Sequence, residues 1–140
     1  MKIGAHVSTA GGVDKAIDRA SLIEAEAVQI FVSSPRGWTF KPLDAATITL
    51  FREKSVKSSI NPVVFHGIYL VSLGTDNQEN LEKGVQSLIN YMTVSEQLDA
   101  LGVVFHAGSH KVVDLMQFLI RRLTHLNGFS VNLLITDTLF

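Results

Sequence analysis

Three of the five histidines in this chain stand at or near the ends of short apolar runs. His6 lies late in Ile3 to Val7, His66 follows Pro62 to Phe65, and His106 follows Gly102 to Phe105. Imidazole is the commonest protein metal ligand and binds through a neutral nitrogen. A single histidine in such a place is more often a hydrogen-bonded core residue. Three at matching places bring the metal reading level with the core reading. Cysteine is absent, which excludes disulfides, thiolate zinc sites and cysteine nucleophiles. Any metal must therefore be held by His, Asp, Glu or water. His110, in Gly108-Ser109-His110, can support such a site or simply open a helix. His125 falls late in a helical pattern and is expected to face solvent.

Two loops carry other chemistry. Ser33 to Trp38 combines a cation, a large aromatic and turn residues. The guanidinium of Arg36 can grip a phosphate through two bonds, and the indole of Trp38 can stack on a base or sugar. The plainer reading is a surface loop whose Trp38 caps the core. Tyr69 lies three residues beyond His66, where its ring can wedge into a base stack or pack as an ordinary loop residue. Gly11-Gly12 can approach a phosphate at a helix N-terminus. No complete G-x-G-x-x-G or Walker pattern surrounds the pair, so a tight turn is the better reading.

The elements that would carry these residues follow from periodicity. The runs Ile3 to Val7, Ala27 to Val32, Pro62 to Phe65, Gly102 to Phe105 and Val131 to Ile135 are short, nearly continuous and rich in Val, Ile and Phe. That pattern predicts strands buried on both faces, as in parallel sheets. Between them, Val13 to Glu24, Leu43 to Ser59, Asn77 to Leu101 and Lys111 to Leu126 carry helical spacing. Asp44 suits an N-cap, Gly102 suits the third helix's C-terminus, and Asn127-Gly128 stops the fourth. Four β-α units followed by a fifth strand predict a parallel α/β fold. Its strand C-termini, where the histidines sit, are the edge that hosts active sites. At 140 residues the chain supplies roughly half of a (β/α)8 barrel of about 250 residues.

Composition sets the remaining limits. With 46% hydrophobic and 18% charged residues the chain can fill a core, which argues against disorder. A net charge of −1 means that a nucleic-acid partner must be met by a local basic patch rather than by bulk charge. No signal-peptide pattern follows Met1-Lys2. The apolar runs fall far short of the ~20 residues of a membrane helix. A soluble cytoplasmic protein without membrane contact is the expectation.

Taken in order, Gly4-Ala5-His6-Val7-Ser8 with Ala10-Gly11-Gly12, then Pro35-Arg36-Gly37-Trp38, then His66 with Tyr69-Leu70, then Phe105-His106-Ala107-Gly108-Ser109-His110 resemble the endonuclease IV family of zinc-dependent AP endonucleases. The likeness runs over essentially the whole chain. It implies a single domain over residues 1–140 forming the N-terminal half of a TIM barrel. It also implies a three-zinc centre, and a base-excision-repair activity that cuts double-stranded DNA 5′ to abasic sites and leaves a 3′-hydroxyl. By the same resemblance His66 and His106 are two ligands of one zinc, with His6, and then His110, near the site. Arg36 and Tyr69 lie in DNA-recognition loops, with Trp38 beside them. An abasic nucleotide has already lost one base's stacking, so extruding it costs least.

One departure stands out. The family's fifth strand ends in a glutamate that bridges two zincs, and an ungapped alignment puts Thr136 there. Asp137 is adjacent, but successive strand side chains point to opposite faces. The family's other ligands lie on strands six to eight. The expectation is an incomplete site with weak or no activity, and self-association through open barrel edges. Two other readings remain open. One is a metal-dependent sugar isomerase or epimerase on a similar barrel. The other is a non-catalytic DNA-binding relic.

Overall fold

The computed structural model describes residues 1–106 and the backbone of the strand at 132–135. The expected fourth helix, Val131, Thr136, Asp137, His110 and His125 lie outside the described residues. The elements run β1 (Gly4–His6), α1 (Asp14–Leu22), β2 (Ala27–Ile30), α2 (Ala45–Lys57), β3 (Val63–His66), α3 (Gln78–Gln97), β4 (Gly102–Phe105) and β5 (Asn132–Ile135). The strands form one sheet in the order β1-β2-β3-β4-β5, and every neighbouring pair is parallel. This sequential parallel order is how a (β/α)8 barrel begins.

The helices start and stop for local reasons. Asp44 caps α2 by accepting a hydrogen bond from the Thr47 amide at 2.7 Å, as the sequence predicts. Asn77 does the same for α3 through the Asn80 amide at 2.9 Å. The ends of α1 and α3 differ from expectation. Gly102 does not cap α3 but opens β4 in a buried position. Asp99 takes the left-handed turn instead (φ 55°), as Glu24 does after α1 (φ 56°). The Ala100 amide reaches back to the Ser95 carbonyl at 2.9 Å, and the Ala25 amide to the Ala20 carbonyl at 3.0 Å. Both are six-to-one closures of the Schellman type, which satisfy carbonyls left over at a helix end.

The helices cover one face of the sheet. Val28, Ile30, Val63, Phe65, Val103 and Phe105 point into that layer and pack with Ala16, Ile17, Phe51, Leu88 and Tyr91. The expectation of strands buried on both faces is not met. Burial alternates along β2 and β3. Residues of the opposite face, including His6, Gln29, Val64 and Val104, line an open groove of about 370 Å³. The near-continuous apolar pattern is that of a sheet covered on both sides, and among the described residues one side is only partly buried.

Candidate functional site at the strand ends

The sheet gathers the strand-end side chains at one rim. His6 ends β1 opposite Gln29, and His66 ends β3 opposite Val104. Phe31 comes one residue after Ile30, which pairs with Phe65, so it arrives beside His66. Its ring centroid lies 5.0 Å from that of His66 and 4.7 Å from that of His6. The His66 and His106 centroids are 5.2 Å apart, those of His6 and His66 6.1 Å. Tyr69 closes the group, edge-on to Phe31 at 5.4 Å and stacked near His106 at 6.1 Å. Five rings from four strand ends thus share one patch. Phe31, at its centre, is absent from the sequence-based candidates. In the sequence it reads as one more apolar residue, and only the register of β2 against β3 places it here.

The chemistry of His66 is set by its backbone. Its Nδ1 lies 2.7 Å from the Gly67 carbonyl oxygen. A carbonyl can only accept, so Nδ1 carries the proton and Nε2 presents a lone pair. Donation from the other ring nitrogen is the usual way a metal-binding imidazole is oriented. Two imidazoles on one tetrahedral ion, with bonds of about 2.0–2.1 Å, have centroids roughly 5 Å apart. The His66–His106 spacing fits that value and the His6–His66 spacing exceeds it. Among the described residues, no group of three or more His, Cys, Asp or Glu converges on such a point. The two donors fit part of a metal site and no more. The His6 residue is largely open to solvent, yet contact with Phe31 strips enough water from the ring to hold its pKa below the ordinary imidazole value. Repulsion between the protonated forms of His6 and His66 adds to that shift.

The second loop joins this rim through the backbone. The Tyr69 amide donates to the Pro35 carbonyl at 3.0 Å, and the Gly37 amide closes on the Ser34 carbonyl at 3.4 Å. Pro35 and Arg36 are therefore the two central residues of a turn, and proline's fixed φ suits its place. Arg36 is exposed at the tip. Tyr69 is 56% exposed although its ring touches the cluster. Trp38 behaves differently, packing half-buried against the core. The indole matches the core-capping reading better than the stacking one. Gly11 and Gly12 form the tight turn expected, at φ 85° and 135°, with the Gly12 amide on the Thr9 carbonyl at 2.9 Å. A groove of about 620 Å³ runs between the first two loops, lined by His6, Ser8, Thr9, Phe31, Ser33 and Ser34.

No family model matches the chain. Individual proteins do. A probable endonuclease 4 of Halothermothrix orenii is 41% identical over 110 residues, covering 79% of this chain and 40% of that protein. One from Nitrosopumilus maritimus is 39% identical over 112 residues, with the same 79% and 40% coverage. The crystal structure of endonuclease IV from Thermus thermophilus superposes with a TM-score of 0.87 at 33% identity, over 99% of this chain and 52% of that one. The chain matches endonuclease IV. It spans about two fifths of the length of these curated relatives, and as a half-length chain it fits the N-terminal half of the endonuclease IV barrel. A xylose isomerase domain protein from Planctomyces limnophilus also superposes, at TM-score 0.68 and 16% identity. That likeness speaks to the barrel architecture alone. Fold does not separate endonuclease IV from the sugar enzymes, but sequence identity does.

Proposed function

We propose that this chain carries part of a DNA-repair endonuclease site, recognising abasic double-stranded DNA through Arg36 and Tyr69 and holding zinc through His66 and His106. The observation that carries the reading is the hydrogen bond from the Tyr69 amide to the Pro35 carbonyl. It makes one surface of the cationic turn and the histidine rim. In this reading Arg36 grips a phosphate from the exposed tip of its turn. Tyr69 offers a half-exposed ring to the gap that a missing base leaves in the stack. His66 presents Nε2, oriented by Gly67, and His106 completes a pair of neutral donors. Zinc, when bound, supplies a hydroxide near neutral pH and neutralises the scissile phosphate. His6, kept neutral beside the pair, leaves the rim free of an added positive charge that would oppose a dication. Residues 1–140 act as one partial barrel domain.

Two neutral imidazoles offer a dication no compensating charge, and no acidic partner joins them among the described residues. Metal-dependent incision of an abasic duplex by this chain is therefore expected to be slow or undetectable. An incision assay with and without zinc checks this. Incision as fast as that of a full-length endonuclease IV, abolished by His66→Ala, would show that the site is complete.

A further inference from the structure

The turn that presents Arg36 is held from below by a residue on a different element. Tyr91 lies on the buried face of α3, 1% exposed and in the hydrophobic core. Its phenol oxygen accepts a hydrogen bond from the Ser33 amide at 3.2 Å and pairs with Ser33 Oγ at 2.9 Å. Burial raises its pKa above the ordinary phenol value, so the group stays a neutral donor and acceptor. Ser33 is the residue just before the Ser34–Gly37 turn, and Pro35 of that turn receives the Tyr69 amide. One buried hydroxyl thus stands at the head of a chain of contacts that runs Tyr91, Ser33, Pro35, Tyr69. Arg36 lies within that span, without a contact of its own to Tyr91.

We infer that Tyr91 is a positioning residue for DNA recognition, fixing through Ser33 the turn that carries Arg36 and, through Pro35, the backbone of Tyr69. This rests on the DNA reading of Arg36 and Tyr69, but the positioning itself can be measured without DNA. A buried hydroxyl with two bonds to one residue removes conformational freedom from that residue before any ligand arrives, which lowers the ordering cost of binding. The phenol is not needed to fill space, since phenylalanine fills the same volume.

The test uses the whole chain with Tyr91→Phe, Ser33→Ala and the double substitution. Trp38, the only tryptophan, reports on the loop through iodide quenching, while amide exchange reports on Ser33 and Tyr69. Tyr91→Phe is expected to keep the circular dichroism spectrum and to speed exchange at both amides. It should also make Trp38 easier to quench. Affinity for abasic duplex should fall roughly two- to tenfold, the worth of about one hydrogen bond. The double variant should be no worse than Tyr91→Phe alone, because Tyr91→Phe already removes the Oγ contact that Ser33→Ala removes. Arg36→Ala should cost less affinity in the Tyr91→Phe background than in the wild type. Unchanged exchange and quenching in Tyr91→Phe, or fully additive losses in the double variant, would reduce Tyr91 to a packing residue. If the amides loosen but the wild-type chain shows no preference for abasic duplex, the positioning stands and the DNA reading fails.

Discussion

Arg36 and Tyr69 differ in what they can contribute, and their variants should differ accordingly. Arg36 sits exposed at a turn tip, so Arg36→Ala should leave the melting temperature nearly unchanged. It should weaken binding to abasic and intact duplex alike and reduce the salt slope by about one phosphate contact. Tyr69→Ala should instead erode the preference for abasic over intact duplex, because stacking on a ring is worth roughly 1–3 kcal/mol per base. Titrations at several salt concentrations, with melts in parallel, distinguish the two. A Tyr69→Ala variant with full discrimination and a large drop in Tm would make that ring a packing element. At this scale residue type alone singled out His6, His66 and His106, which the fold brings to one rim, and Arg36, which it leaves exposed at a turn tip. The sequence was silent where the role depends on who sits opposite. Phe31 reads as one more apolar residue, and Tyr91 as one more position on a helix face. Only the register of β2 against β3 and the approach of α3 to Ser33 reveal them.

The elements hold these residues with little slack. A Cβ added at Gly4 would lie 2.7 Å from the Ala27 carbonyl oxygen, too close for β1 to keep its place against β2. Gly4→Ala is expected to destabilise the chain by about 1–3 kcal/mol, as overpacking does, and to shift His6, two residues along the same strand. Urea unfolding would measure the cost, and an unchanged midpoint would mean that the strand pair yields freely. On the outer layer, Lys54 of α2 donates to Asp14 at 2.8 Å and to Asp18 at 2.5 Å on α1. The Lys54 hydrogen bond holds the buried Asp14 carboxyl below the usual carboxylate range. A carboxyl with a depressed folded pKa contributes stability above its unfolded value, about 3.9, and loses it as pH falls through the folded value. Lys54→Met should therefore lower Tm at neutral pH and flatten its fall as pH drops below about 5. A parallel shift of the whole curve would locate the effect elsewhere. Strands and helix starts were legible because Val-rich runs and Asp44 act locally. The ends at Glu24 and Asp99 were not, since a left-handed acidic residue carries no signal comparable to glycine.

At the scale of the whole molecule, the described helices cover one face of the sheet, and among the described residues the other face is only partly buried. Among the described residues its outer strands, β1 and β5, each pair on one side. Unpaired strand edges beside an apolar groove invite pairing with another chain. Self-association that grows with concentration is expected, and sedimentation velocity over a wide concentration range measures it. A single monomeric species throughout would mean that the open face is tolerated. No helix among the described residues is long and apolar enough to cross a membrane. The half-barrel pattern was readable from alternating elements and length. The one-sided burial was not, because residues such as Val64 and Val104 look the same whether or not anything covers them. In the proposed function, the histidine rim and the Arg36 turn form one surface that recognises abasic DNA. The most direct measurement is the ratio of affinities of this chain for abasic and intact duplexes of the same sequence, by fluorescence anisotropy, for the wild type and for Arg36→Ala and Tyr69→Ala. The expected result is a wild-type preference for abasic duplex of roughly five- to hundredfold, on the scale of one base's stacking. Tyr69→Ala should largely abolish that preference, while Arg36→Ala should preserve it at weaker affinity. Equal affinity for both duplexes, or full discrimination in Tyr69→Ala and unchanged affinity in Arg36→Ala, would contradict it and favour a sugar-processing metal barrel.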